Sequence, residues 1–288
     1  MSRVLPSAIV FDMDGVLVDT TSSYHQATLE TVRQVLADLT GVTADAASSV
    51  DPSWIHALKS ASGFNNDWDC SAAIVRILLS PKWRALGPLA ASERLADAGG
   101  GLAAVEALLG LEPRVDARGT VRDYFQLLYL GSALYSAIEG RPPPREDVLG
   151  LIDTERPMVD LAILTKLSVR RAIATGRPRL EALHALHVFG LGSAFEAVVT
   201  HDDCVEAGQS GKPHPWCLLE AARRLALPAE ATCWYVGDTP DDMRAARAAG
   251  FVAIGVPAND ESRGALIAAG ASRLIDSVSD LLSAGESP

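Results

Sequence analysis

Long apolar runs are missing from this 288-residue sequence: none approaches the roughly 20 residues that a transmembrane helix needs, so no membrane span is expected. Cysteine is scarce. Cys70, Cys204, Cys217 and Cys233 form no CxxC pair and no zinc spacing, which argues against a disulfide framework and for reduced thiols in a cytoplasmic protein. Positive charge is also in deficit, 25 Lys and Arg against 36 Asp and Glu, for a formal charge of −11. That balance argues against a general affinity for nucleic acid or anionic membrane surfaces and leaves small ligands as the expected partners. The short apolar stretch before Asp12 is too brief for a signal peptide. Six histidines are present, and none, including His184, His187, His201 and His214, has metal-ligand spacing with another ligand.

What the chain does have is a 48% apolar composition, enough for a buried core, and a series of short apolar runs that stop at polar clusters. Ala8-Ile9-Val10-Phe11 ends at Asp12 and reads as a buried strand running into a loop. Further strands are expected at 171–175, 197–200, 233–237, 252–256 and 273–275. Helical spacing fills the intervals at 179–187, 215–225 and 241–249, with a last helix at 278–282. Strands alternating with helices predict an α/β fold, a Rossmann-like parallel sheet covered by helices, and in such sheets ligands bind outside the carboxyl ends of the strands.

The segment 20–168 separates the first strand from the rest and contains no comparable strand series. It is expected to be an inserted, mainly α-helical cap domain, leaving 1–19 and 169–288 as the core. Gly99-Gly100-Gly101 and Pro142-Pro143-Pro144 mark loops within it, and 85–111 suits an amphipathic helix pair. One cluster in the insert, Gly63-Phe64-Asn65-Asn66-Asp67-Trp68, combines amides, an acid and aromatics. Asn65 and Asn66 are candidates for substrate binding there, or the string is a capped helix start with inward aromatics.

Four polar clusters end or follow the expected strands: Asp12-Met13-Asp14-Gly15-Val16-Leu17-Val18-Asp19, Ala174-Thr175-Gly176-Arg177, Gly211-Lys212-Pro213 and Gly237-Asp238-Thr239-Pro240-Asp241-Asp242. In order and context they resemble the four motifs of the haloacid dehalogenase-like hydrolase superfamily, with an insertion between the first and second motifs as in its subfamily IA. The resemblance covers about residues 6–19 and 169–284. It implies a phosphatase that attacks a small phosphorylated metabolite with the Asp12 carboxylate and forms an aspartyl-phosphate, while Asp14 protonates the leaving oxygen and later activates water.

The resemblance also implies Mg2+ held by Asp12, Asp14 through its carbonyl, and Asp238, with Asp242 supporting it directly or through water. A cation is needed on physical grounds. At 4 Å each carboxylate–phosphate charge pair costs about 4 kcal/mol at an effective dielectric near 20. Thr175, the Gly176 amide and Lys212 would hold the phosphoryl oxygens. The acids also admit plainer readings. Asp12 and Asp14 have turn chemistry, Thr239 to Asp242 have the form of a helix N-cap, and Arg177 reads as an exposed residue at a helix start or a substrate contact.

Two other functions share parts of this pattern. A phosphosugar mutase of the same superfamily would carry all four motifs. A phospho-accepting signalling module also combines acids, Thr and Lys, but on different strands and without the large insertion. A dehalogenase has no need of the acid that Asp14 supplies.

Overall fold

Ala8–Phe11 form β1, and all four side chains are buried, as a strand covered on both faces requires. In this computed structural model, residues 6–39, 42–60, 63–64, 66–112, 114–228 and 230–283 are described. The short β2 (Val18–Asp19) follows. The chain then passes through α1 (Thr21–Asp38), α2 (Ala44–Ser48), α3 (Ser53–Ser60), α4 (Asp67–Leu79), α5 (Pro81–Arg84), α6 (Gly87–Asp97), α7 (Gly101–Leu109) and α8 (Thr120–Glu139). It continues with β3 (Arg156–Pro157), α9 (Leu161–Lys166), β4 (Arg170–Ala174), α10 (Arg179–Val188), β5 (Ala197–Val199), α11 (His201–Glu206) and α12 (Trp216–Arg224). The last elements are β6 (Cys233–Gly237), α13 (Pro240–Ala248), β7 (Val252–Gly255), α14 (Asp260–Ala269), β8 (Arg273–Leu274) and α15 (Asp280–Ser283).

Six strands form one parallel sheet in the order β5-β4-β1-β6-β7-β8. Side chains alternate across a strand, and alternate residues of β1 accordingly enter different cores. Ile9 and Phe11 pack with Ile173, Val236 and Ile254 and with Leu164, Ala185 and Leu186 from α9 and α10. Ala8 and Val10 pack with Ala172, Tyr235 and Ala253 and with Leu218, Met243 and Leu266 from α12, α13 and α14. The result is the helix-covered parallel sheet expected of the α/β class.

The chain divides into two compact units, Met1–Asp19 with Arg156–Pro288, and Thr20–Glu155. The return to the sheet unit falls at Arg156, earlier than the expected start at 169. Asp19 and Val18 pair antiparallel with Arg156 and Pro157, the Met158 amide donates to Leu17 O at 2.9 Å, and Leu164 and Leu167 join the sheet's core. These contacts bind 156–168 to the sheet unit, although no motif in the sequence signals it.

The inserted unit is helical. Its centre is α4, buried on every side from Cys70 to Leu78, which a helix apolar all round requires. The one charge in that stretch, Arg76, is paired with Glu106 at 3.1 Å and donates to Val115 O at 3.0 Å. The expected helix pair at 85–111 is α6 and α7. Within α8 the backbone leaves helical geometry at Gly131, where a side chain would collide with Gly150.

Candidate active site

Strand register brings the motifs together. Phe11 lies opposite Ile173 on one side and Val236 on the other, so Asp12, Thr175 and Asp238 all fall within two residues of the same level at the carboxyl end of the sheet. The Asp12 amide continues the ladder by donating to Val236 O at 2.8 Å. The chain then turns tightly, with the Leu17 and Val18 amides donating to Met13 O at 2.8 and 2.9 Å. Gly15 sits in this turn at φ 67, and a Cβ there would collide with the Asp238 carboxylate. The first and fourth motifs are therefore in contact through a position that only glycine fills.

Oxygens of Asp12, Asp238 and Asp242 all lie within 4.8 Å of one another. Lys212 Nζ completes the cluster, 2.8 Å from Asp12 Oδ2 and 2.7 Å from Asp242 Oδ1. Asp242 is fully buried. Its Oδ2 accepts from the Asp238 amide at 3.2 Å, the Thr239 amide at 2.9 Å and Thr239 Oγ1 at 2.7 Å. Asp242 thus both caps α13, as the helix-cap reading expected, and holds Lys212. By contrast, Asp12 Oδ1 is buried with no hydrogen-bond partner. Such an atom is costly unless a cation or donor meets it.

The electrostatics follow from three acids around one ammonium. Burial, helped by the Asp242 and Asp14 charges and opposed by Lys212, pushes the Asp12 carboxyl up to about 7. Burial and the Asp242 and Asp12 charges likewise raise Asp238 well above the usual carboxylate range. Burial alone would raise Asp242, but Lys212 and the Thr239 donors hold it below. Burial opposes the charge on Lys212, and Asp12 and Asp242 outweigh it, so the ammonium stays protonated. Hard carboxylate oxygens with one orphaned atom fit a divalent cation such as Mg2+.

Thr175, buried at the end of β4, accepts the Arg177 amide on Oγ1 at 3.1 Å, which leaves its hydroxyl hydrogen to donate elsewhere. A Cβ added at Gly176 would meet nothing within 4 Å, so the space beside this backbone is open. Asp14 faces Arg177, which the sequence left open between an exposed helix-start residue and a substrate contact. Arg177 is only 1% exposed, and its Nε lies 2.5 Å from Asp14 Oδ1. Tyr235 on β6, which the sequence offered only as a strand residue, also reaches the site: its hydroxyl oxygen lies 3.1 Å from each of Lys212 Nζ, Asp242 Oδ1 and Ala174 O. Locally the sequence shows only a basic residue after Thr-Gly and a tyrosine in an apolar strand, because the partners of both lie far off in the chain.

In the inserted unit, Asn66 Oδ1 caps α4 by accepting the Trp68 and Asp69 amides at 3.0 and 3.1 Å, and also accepts from Arg118 at 3.2 Å. Phe64 is buried, and Trp68 is flanked by the Arg118 and Arg122 guanidiniums. These contacts match the capped-helix reading of the cluster. Asn65 lies outside the described residues.

Residues 6–250 match the family of haloacid dehalogenase-like hydrolases, and the chain belongs to that family. An imidazoleglycerol-phosphate dehydratase of Phytophthora nicotianae is 29% identical over 255 residues, 86% of this chain but 43% of that protein. A phosphoglycolate phosphatase of Cupriavidus necator is 34% identical over 137 residues, 47% of this chain and 57% of that protein. The chain thus spans about half the length of these curated relatives. Among solved structures, phosphatase Tt82 from Thermococcus thioreducens is 27% identical with a TM-score of 0.64, covering 90% of this chain and 99% of that one.

Proposed function

We propose that this chain is a Mg2+-dependent phosphoric monoester hydrolase that acts on a small phosphorylated metabolite through an aspartyl-phosphate on Asp12. The observation that carries the reading is the convergence of Asp12, Asp238, Asp242 and Lys212, with Asp12 Oδ1 left without a donor. The Asp12 and Asp238 carboxylates and the Asp14 carbonyl would hold the ion, and Asp242 would support it from beneath while fixing Lys212. When bound, Mg2+ neutralises charge on the phosphoryl oxygens and lowers the repulsion between substrate and acids.

The protein's own groups then account for each step. An Asp12 carboxylate oxygen attacks phosphorus, the ester P–O bond breaks, and its electron pair leaves with the ester oxygen, which takes a proton from Asp14. In the second half, water attacks the aspartyl-phosphate, gives its proton to Asp14, and releases phosphate and free Asp12. The Thr175 hydroxyl, the Gly176 amide and Lys212 stabilise the charge that gathers on the phosphoryl oxygens.

Several curated relatives carry the name phosphoglycolate phosphatase, which makes phosphoglycolate the first compound to test on this chain. The test is phosphate release by the purified chain from phosphoglycolate, phosphosugars and an aryl phosphate, with Mg2+ and with EDTA. Mg2+-dependent release is the expected result. No release from any ester in Mg2+ would overturn the proposal.

A further inference from the structure

The 2.5 Å contact between Arg177 Nε and Asp14 Oδ1 joins residues 163 positions apart, so it is a product of the tertiary fold and not of a local turn. The two partners differ sharply in freedom. The Arg177 side chain is fully buried, whereas that of Asp14 is 34% exposed. The arginine's backbone is fixed on both sides, its amide donating to Thr175 Oγ1 at 3.1 Å and its carbonyl accepting from the His201 amide at 3.0 Å. A half-exposed aspartate rotates readily about its two side-chain torsions, and a fixed guanidinium against one oxygen removes that freedom. Burial adds a second constraint, because a guanidinium out of water needs a counterion and Asp14 supplies one.

We infer that Arg177 is the positioning residue for Asp14: it fixes Oδ1 and leaves Oδ2 as the oxygen that hands a proton to the leaving group. The inference rests on the phosphatase reading above. The proton moves from Asp14 Oδ2 to the ester oxygen as the P–O bond breaks, and the electron pair of that bond goes to the same oxygen. Arg177 acts on this proton through Asp14.

A general acid matters in proportion to how badly the leaving group needs a proton. An alkyl phosphate needs it, whereas p-nitrophenyl phosphate departs as a stable phenolate. The experiment compares kcat/KM for an alkyl phosphate and for p-nitrophenyl phosphate, both in Mg2+, in the parent protein, Arg177→Met, Asp14→Asn and the double variant. In Arg177→Met the alkyl-to-aryl ratio of kcat/KM is expected to fall about tenfold or more, and in the Asp14→Asn background the same change leaves the ratio where it was. A smaller fall, or a further fall in the Asp14→Asn background, overturns the inference, because a merely structural role slows both esters alike. Should Arg177→Met not fold, Arg177→Lys keeps the charge, loses the planar Nε contact, and is read in the same way. A parent protein inactive on both esters overturns the phosphatase reading itself, whereas an active parent with an unchanged ratio overturns only the role of Arg177.

Discussion

The Lys212 ammonium stands 2.8 Å from the carboxylate of Asp12, the group proposed to attack phosphorus. An ion pair this close holds the nucleophile in place and partly neutralises it. Because Lys212 serves Asp242 at 2.7 Å as well, one positive charge is divided between two carboxylates, and Asp238 adds a third nearby. The cluster remains short of positive charge, which is the physical basis for expecting a cation there.

Replacing Asp12 with Asn removes the proposed nucleophile at nearly constant shape. Turnover should fall by about 10³-fold or more with the fold intact, as judged by phosphate release and circular dichroism. Hydrolysis by the purified variant at anything near the parent rate would remove Asp12 from the mechanism.

Lys212→Met leaves Asp12 and Asp242 buried without their shared counter-charge. Metal-free stability should drop by about 3 kcal/mol in urea titrations, and kcat by about 10²-fold. A variant that retains both would show that Lys212 is a bystander.

The acid cluster sets a pH dependence whose sign can be worked out. Asp12 rises from an ordinary 3.8 to about 7 in the folded protein, so the native state keeps a proton that the unfolded chain has lost. Metal-free stability should therefore decline through Asp12 as pH climbs between those two values, and Asp238 shifts in the same direction. Asp242, held low, contributes stability that is lost only as pH falls below 3.8, outside this window. Mg2+ competes with those protons, so it should raise the melting temperature more at about pH 8 than at about pH 5. Equal shifts at both would contradict the assignment.

Gly15→Ala places a methyl group against the Asp238 carboxylate at a positive φ. Half-saturation by Mg2+ should weaken about tenfold, read by calorimetry or by activity against Mg2+ concentration. Unaltered affinity would show that the turn gives way without disturbing Asp238.

Asn66→Ala should cost about 1 kcal/mol of stability through loss of the α4 cap, without a change in KM. A raised KM at full stability would return Asn66 to the substrate.

Much of the sheet unit was legible because its signals are local. The apolar run before Asp12, the strand at 233–237 and the order of the four motifs depend on residues adjacent in sequence, and the structure places strands there. The capping of α13 by Thr239 and Asp242 was legible for the same reason. What escaped depends on contacts between distant positions. Nothing next to Arg177 says that it is buried against Asp14, and Tyr235 looks like one more strand residue until Lys212 meets its hydroxyl. The return to the core at Arg156 was missed because the pairing partner, Asp19, lies at the far end of the insertion. For Asn66 the sequence admitted both a ligand-binding amide and a helix cap. A cap and a contact use the same side-chain oxygen, and only geometry separates them.

The pairing of Asp19 with Arg156 closes the catalytic scaffold at the very point where the chain departs from it and comes back. The two ends of the 20–155 insertion are thus joined side by side by backbone pairing that belongs to the sheet unit itself.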